Sequence, residues 1–538
     1  MNTTLCILVS AMYVICLVYM LLNFKRDIHI FQQNSYRPER YMRWLKKNFM
    51  PAWRLMDVAL LFLLLSTLLK PLVTGVIVSI VLIVKMAVLL RAKYKKPLVF
   101  TKRVWRLYAC VGILALAAVL PFCLQTYFDA GSIEEVSLTF RTAGTVILGL
   151  SVFSWAVMLL SAYIMTPVER HINNGFRKDA IKRLESMPDL KVIGITGSFG
   201  KTSTKHYLHR ILSEKYDTLM TPGSFNTPMG VIRTVREMMK PYHEVFICEM
   251  GAKQKGDIKE ICDIVHPQMG IITAVGPMHL ETFHTIENVQ STKFELADAL
   301  TADGLIVVND DFEYCANRDV PNVECKRYAV TYTSNADYVA EDVDYTPSGT
   351  YFTVKGKDGM ELKLHTQLIG ECNISNLMAA VIMALRLGVE PERIRYAVSQ
   401  IEQVEHRLNV KRTAGGVTII DDAFNSNPEG SRMAVDALSR FTQGRRIVVT
   451  PGMVELGSKE FELNRALGRH IAEKLDVAII VGQYNREALL KGIEDAGKLP
   501  EKSIVPVDSF AEAQQYLSGF LRSGDTVLYE NDLPDTFR

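Results

Sequence analysis

Four apolar segments in the first third of this 538-residue chain are each long enough to cross a bilayer, which takes about 20 residues. They cover residues 3–22, 72–90, 104–122 and 145–165. A fifth, 56–69, is short alone, and Lys70-Pro71 separates it from the next, the pattern of a tight helical hairpin. The chain is 49% hydrophobic and 22% charged, and almost all the apolar surplus lies before residue 166. This composition rules out a disordered or collagen-like chain. The first segment has no basic region before it and no clear small-residue cleavage site. Basic residues follow it instead, so it reads as a span and not as a leader peptide.

Basic residues orient the spans. Lys25, Arg26, Arg37, Arg40, Arg43, Lys46, Lys47 and Arg54 follow the first. Arg91, Lys93, Lys95, Lys96, Lys102 and Arg103 form the next basic loop, whereas Asp129, Glu134 and Glu135 lie between the last two spans. About five spans with an outside N-terminus satisfy all three loops. Everything after Met165 is then cytosolic, and the expected location is the cell membrane, multi-pass. Lys85 lies inside a span; it reads as a snorkelling or helix-packing lysine, with a functional charge as the alternative.

The net charge is +3, which gives no reason to expect nucleic-acid binding. Nine cysteines contain no C-x-x-C pair, which argues against a disulfide framework or a zinc site. Cys6, Cys16, Cys110 and Cys123 lie in apolar stretches; Cys248, Cys262, Cys315, Cys325 and Cys372 suit a reducing cytosolic domain.

From about Glu169 the composition turns globular. Residues 181–187 read as a short amphipathic approach to the first strand, 191–196. Gly197-Ser-Phe-Gly-Lys201-Thr202-Ser203 follows, then a helical pattern over 205–214. Strand, glycine turn, Gly-Lys-Thr and helix form the context that a phosphate-binding loop needs. A strict Walker A motif has glycine where Ile195 stands. Further strands are expected at 243–249, ending in Glu249, and at 269–275, just before His279, and at 305–309. Residues 328–368 alternate like antiparallel strands, and 372–387 is helical. A second α/β series begins after Arg407, with strands at 417–422, 446–451, 477–481 and 526–528.

With Gly194-Ile-Thr-Gly-Ser-Phe-Gly-Lys-Thr-Ser203, these residues resemble the Mur ligases, ATP-dependent amide ligases of peptidoglycan synthesis, whose loop departs from strict Walker A in the same way. Asn226-Thr-Pro-Met-Gly230, Glu249-Met-Gly251, Met278-His-Leu-Glu281 and Lys293-Phe-Glu295 follow in the family's order. So do Gly370-Glu-Cys-Asn-Ile-Ser-Asn376, His406-Arg407, Asp421-Asp-Ala-Phe-Asn-Ser-Asn-Pro428 and Gly452-Met-Val-Glu-Leu-Gly457. The last two strings are most like the branch that adds D-alanyl-D-alanine. The resemblance covers roughly residues 190 to 530.

The apolar segments give a helical transmembrane domain over 1–168, and the resemblance implies two α/β domains after it. These are a P-loop central domain, 169–402, and a Rossmann-like C-terminal domain, 403–538. The implied reaction phosphorylates a carboxylate with ATP and Mg²⁺; an amine then displaces phosphate from the acyl phosphate. Gly197, Ser198, Gly200, Lys201, Thr202 and Ser203 would hold ATP, with Asn373 and Asn376 on the nucleotide. Thr202, Glu249, His279 and Lys293 would serve metal ions, Lys293 as a carbamate. Arg407 and Asp422 would reach ATP when the C-terminal domain closes. Asn226, Asn425, Asn427 and Glu455 would line the substrate side, with a structural turn as the alternative for Glu455. The implied substrates are a muramoyl peptide, UDP- or lipid-linked, and a D-Ala-D-Ala-like amine; envelope-synthesis proteins are expected partners.

Three departures bear on substrate recognition more than on ATP chemistry. Apolar helices occupy the place of the family's N-terminal UDP-sugar domain. Cys372 stands where the family commonly has histidine. The last strand leads into Leu528-Tyr-Glu-Asn-Asp-Leu-Pro534, not a Lys-Gly-Ser-Arg-like string. Two other readings stay open: a ligase for another substrate such as a polyglutamate, and an ATP-driven transporter or scaffold with a ligase-like domain.

Overall fold

The computed structural model describes residues 3–48, 52–66, 68–92, 94, 96–128, 133–331, 336–346, 349–424 and 426–533. Asn425 therefore lies outside the described residues, as do Lys93, Lys95 and Asp129. The chain forms two compact units that divide between Asn173 and Asn174.

The described elements of the first unit are helices: α1 (Thr3–Gln33), α2 (Pro38–Lys47), α3 (Ala52–Leu65), α4 (Pro71–Arg91), α5 (Lys102–Phe128), α6 (Ile133–Val152) and the first part of α7 (Ser154–Glu185), which runs on into the second unit. Cys16, Tyr19, Phe24, Val78, Leu82, Val111 and Ile147 pack in its core. The outward faces stay apolar too: Ile80, Ile83, Val88, Ile113 and Leu116 are exposed. A helix that is apolar all round belongs in a large core or a bilayer. Two described helical segments, Pro71–Arg91 and Lys102–Phe122, are long and apolar enough to cross a membrane. Arg141–Val152 and Ser154–Glu185 reach that standard only as a pair, bent by 71°. The unbroken span expected at 145–165 is thus interrupted at Phe153.

One further expectation changes here, and one is narrowed. Residues 181–185 close the 32-residue helix α7 and do not form a separate short element. Of the two readings for Lys85, helix packing holds and snorkelling does not: it is buried and paired with Asp57 Oδ1, to which the Tyr19 hydroxyl also donates at 2.6 Å. The reason is local: α3 supplies a carboxylate inside the bundle, so the ammonium has a partner without reaching water. At the open C-terminal end of α3, the Arg141 guanidinium donates to the carbonyls of Leu64, Leu65 and Ser66.

The second unit holds two sheets. The first draws on β1 (Lys191–Thr196), β2 (Thr218–Met220), β3 (Val245–Glu249), β4 (Met269–Ile272), β5 (Leu305–Asn309) and β6 (Glu324–Ala329). Its edge is built by β7 (Tyr338–Thr346), β8 (Gly349–Gly356) and β9 (Glu361–Thr366). The order is β2-β3-β1-β4-β5-β6-β7-β8-β9. The strands pair in parallel up to β7, and β7-β8-β9 are antiparallel. The helices between them are α8 (Lys201–Leu212), α9 (Pro228–Met238), α10 (Asp257–Val265), α11 (Leu280–Phe283), α12 (Ile286–Asp298) and α13 (Glu313–Ala316). After β9 come α14 (Glu371–Arg386) and α15 (Pro391–Ser399). Residues 193–195, 245–248 and 305–308 are near-continuous buried apolar runs, as a sheet covered on both faces requires.

The second sheet contains β10 (Asn409–Arg412), β11 (Thr418–Asp422), β12 (Arg446–Thr450), β13 (Val477–Val481), β14 (Ile504–Val507) and β15 (Thr526–Glu530). Its order is β10-β11-β15-β12-β13-β14, antiparallel only between β10 and β11. Helices α16 (Pro428–Ser439), α17 (Glu460–Lys474), α18 (Arg486–Ala496) and α19 (Phe510–Phe520) connect these strands.

Candidate active site

In the first sheet β1 has β3 on one side and β4 on the other, so chain direction switches there. Open α/β sheets bind ligands at the carboxyl ends of strands beside such a switch. The loop that leaves β1 needs its glycines. Gly197 has φ 152° and a Cβ there would meet Thr273 Oγ1 at 2.1 Å; Gly200 has φ 82° and a Cβ would meet Asn376 Oδ1 at 2.2 Å. Helix α8 then starts at Lys201, presenting its free N–H groups at this loop. Ser198 is tied to the loop after β4, its Oγ donating to Gly276 O at 3.0 Å.

The Lys201 ammonium donates to Gly197 O at 2.7 Å and so lies across its own loop. Burial pushes it down to about 8, with Glu249 opposing and the Arg407 guanidinium adding to the fall. Thr202 Oγ1 lies 3.2 Å from both carboxylate oxygens of Glu249. Asn226 Nδ2 donates to Glu249 Oε1 at 2.9 Å. Burial alone would raise Glu249, but Lys205 and Lys201 outweigh it and keep the carboxyl below its ordinary range. A hydroxyl beside an ionised carboxylate is a hard-oxygen set that fits Mg²⁺, whose remaining sites are usually filled by phosphate and water.

Helix α14 packs Asn373 and Asn376 against α8. The Tyr207 hydroxyl donates to Asn373 Oδ1 at 2.8 Å, and Thr204 Oγ1 to Asn376 Oδ1 at 3.3 Å. Neither side chain caps a helix. Ser203 is buried at the first turn of α8.

Lys293, on α12, is 2% exposed. Burial, reinforced by the Lys201 charge and opposed by Asp257 and Glu295, pushes its ammonium down to about 7. The two acids are engaged with backbone: Asp257 Oδ2 accepts from the amides of Lys253 and Gln254, and Glu295 from those of Gly256 and Lys259. Among the described residues no group of three or more His, Cys, Asp or Glu could hold a metal. A metal at His279 and Lys293 would thus need Lys293 converted to an oxygen donor.

The second sheet brings its residues to this place. Arg407 and Asp422 are within electrostatic reach of each other, and Arg407 also acts on Lys201 and Glu249. Burial, with Glu530 adding to it and Arg407 opposing, pushes the Asp422 carboxyl up to about 7. The Arg407 guanidinium sits 4.3 Å from the Phe424 ring centre. Glu455, at φ 64°, bonds His279 Nδ1 and accepts from Lys253 Nζ at 3.0 Å. Burial favours the neutral acid, but His279 and Lys253 hold the Glu455 carboxyl well below the usual range. Glu455 thus joins the two sheets' domains, whereas Asn427 caps α16, accepting from Gly430 N at 2.9 Å.

Sequence reasoning missed Lys205, Lys253 and Glu530. Lys205 is one helical turn after Lys201 on the same helix face, a signal that was available. Glu530 ends a buried strand in an acid just as Glu249 does, and β15 runs two residues past its expected end at 528. The Glu530 carboxylate accepts from Ser426, Ser431 and Thr450. Lys253 carries no local signal, because its partner lies 202 residues away.

Models of two protein domains match the chain: the Mur ligase middle domain over residues 195–384, and the Mur ligase glutamate ligase domain over 406–529. A UDP-N-acetylmuramoyl-tripeptide–D-alanyl-D-alanine ligase of Bacillus subtilis is 31% identical over 309 residues, 56% of this chain and 66% of that protein. The Mycobacterium tuberculosis protein of the same name is 30% identical over 365 residues, covering 63% of this chain and 70% of its own length. The chain spans 66% and 65% of the first two curated relatives, under two thirds of each. Among solved structures, MurF from Acinetobacter baumannii superposes with TM-score 0.60 and 28% identity, over 66% of this chain and 77% of that one. MurF ligase from Thermotoga maritima in complex with ADP gives TM-score 0.59 and 26% identity, over 67% and 80%.

Proposed function

The chain belongs to the Mur ligase family, and from that premise we propose that it is a membrane-anchored, ATP-dependent amide ligase of MurF type. It joins D-Ala-D-Ala, or a similar amine, to the terminal carboxylate of a muramoyl tripeptide. The observation that carries this reading is the convergence of Lys201, Thr202 and Glu249 with Arg407 and Asp422 from the other domain.

The loop 197–200 and the first amides of α8 cradle the phosphates of ATP. Lys201 leaves its loop carbonyls for the terminal phosphate and, with Arg407, balances the charge that develops on the phosphoryl group in flight. Thr202 and Glu249 would hold Mg²⁺, which would supply neutralisation of phosphate charge. The substrate carboxylate attacks the γ-phosphorus, ADP leaves, and the acyl phosphate forms. The amine then attacks the acyl carbon, phosphate departs and the amide remains. Asp422 and Arg407, half-buried beside the phosphate loop, help exclude water that would hydrolyse the acyl phosphate. Lys293, as a carbamate, supplies a second carboxylate-like oxygen pair near His279.

We assign residues 1–168 to the membrane domain, 169–402 to the ATP domain and 403–538 to the C-terminal domain. The membrane domain takes about five spans with the catalytic domains cytosolic. Membrane tethering raises effective concentration for a lipid-linked acyl substrate, which we assign in preference to the soluble UDP-linked one. The test is ADP release from detergent-purified protein. The ligase reading expects sustained release, beyond one ADP per protein, only when acyl substrate and amine are both present; sustained release without an amine favours the transporter or scaffold reading.

A further inference from the structure

Lys205 is a fully buried lysine, one turn beyond the phosphate-loop lysine. A buried ammonium persists only where its hydrogens find acceptors. Its Nζ lies 2.9 Å from Glu249 Oε2, both side chains being 0% exposed, and it also donates to the carbonyl of Gly223. Glu249 Oε1 is held separately by Asn226 Nδ2 at 2.9 Å. The loop that carries Gly223 and Asn226 is closed onto the end of β3 by a third bond, Gly251 N to Asn226 O at 2.7 Å. Gly251 has no room for a side chain, since a Cβ would stand 2.7 Å from the Asn226 carboxamide carbon. One ammonium therefore ties together three parts: helix α8, the carboxylate beside Thr202, and the 223–226 loop.

We propose that Lys205 is a positioning residue that fixes the Glu249 carboxylate and the 223–226 loop to the phosphate-binding helix as one body. It touches neither ATP nor the acyl substrate. Its first effect is on orientation: with Asn226 on one oxygen and Lys205 on the other, the Glu249 carboxylate plane cannot turn away from Thr202. Supports of this kind around a metal ligand typically carry about 10–100-fold in metal affinity. Its second effect is on the loop, because Gly223 O has the lysine as a fixed donor. The inference rests on the ligase reading for what the loop faces, but not for the geometry itself.

The experiment uses the full chain in detergent and compares Lys205→Met with the wild type. Two readouts need no turnover: Mn²⁺ binding by electron paramagnetic resonance in the presence of a non-hydrolysable ATP analogue, and hydrogen exchange at the amides of Gly251 and Glu249. We expect Mn²⁺ affinity to fall by about tenfold or more and exchange at Gly251 to quicken, with helix α8 still protected. Lys205→Met leaves a carboxylate buried without its cation, so the double variant Lys205→Met, Glu249→Gln is measured alongside. It should regain wild-type thermal stability while Gly251 still exchanges fast, because Gly223 O still lacks the lysine. Unchanged Gly251 protection in both variants overturns the proposal, as does wild-type Mn²⁺ affinity in the folded single variant. If both physical readouts change but no amide is made by the wild type either, the substrate assignment falls and the positioning role stands.

Discussion

Lys293 gives the prediction whose size can be worked from the structure. An ordinary lysine titrates near 10.4, so at pH 8 only about 0.4% of it is the neutral amine. Burial and the nearby Lys201 charge push Lys293 down to about 7, which makes roughly 90% of it neutral at pH 8. Only the neutral amine adds CO₂, so the reactive form is enriched on the order of 200-fold. The sign follows from the direction of the shift: a lowered lysine loses its proton as pH rises through about 7, not near 10.5. Carbamate should therefore build up between about pH 6 and 8. The assay is ¹³C NMR of protein equilibrated with ¹³C-bicarbonate across that range, with Lys293→Ala as the control. A carbamate resonance that grows through pH 7 and is absent from the variant is expected, together with recovery of the variant's activity by short carboxylates. No resonance at pH 8, or activity indifferent to bicarbonate depletion, refutes the reasoning.

Four further outcomes are expected. Lys201→Ala should lower turnover by about 10²–10³-fold, since it removes a positive charge from the transferring phosphate, while the thermal midpoint stays close to wild type. Asp422 is pushed up to about 7 and ionises as pH rises through that value; if its carboxylate is the working form, kcat/KM climbs from pH 6 to 8, and Asp422→Asn flattens the profile at a low level. Glu455→Gln should loosen the contact of the C-terminal domain with His279 and Lys253, seen as a larger radius of gyration by small-angle scattering. In the helical unit, Lys85→Met removes the cation from the buried Asp57 carboxylate, which keeps the Tyr19 hydroxyl, and should cost about 3 kcal/mol in detergent unfolding, most of it recovered by the double variant Lys85→Met, Asp57→Asn.

The parts of this molecule that were legible in the sequence are those with local signatures. The buried run 191–196, the glycine turn and the helix after it are short-range patterns, and β1 and α8 stand where those patterns point. The antiparallel edge β7-β8-β9 likewise announces itself by alternation. What stayed hidden depends on contacts distant in the chain. The Glu455 link to His279 spans 176 residues, and no periodicity reports it. Lys85 reads equally as a snorkelling or a helix-packing residue because its partner lies on another helix, 28 residues earlier. The break at Phe153 follows no proline or glycine pair; it separates two stretches whose apolar composition reads as one. Asn427 illustrates a different limit: an asparagine before proline serves equally as a helix cap or a ligand contact, and only its bond to Gly430 N shows the cap.

The central claim is a ligase that makes an amide at the membrane, and product mass spectrometry tests it most directly. Detergent-purified protein receives ATP, Mg²⁺ and D-Ala-D-Ala, with either the UDP-linked or the lipid-linked muramoyl tripeptide, and Lys201→Ala runs in parallel. A muramoyl pentapeptide formed by the wild type alone, with the lipid-linked substrate preferred, is the result expected. No pentapeptide from either substrate, in protein that still binds ATP, contradicts the assignment.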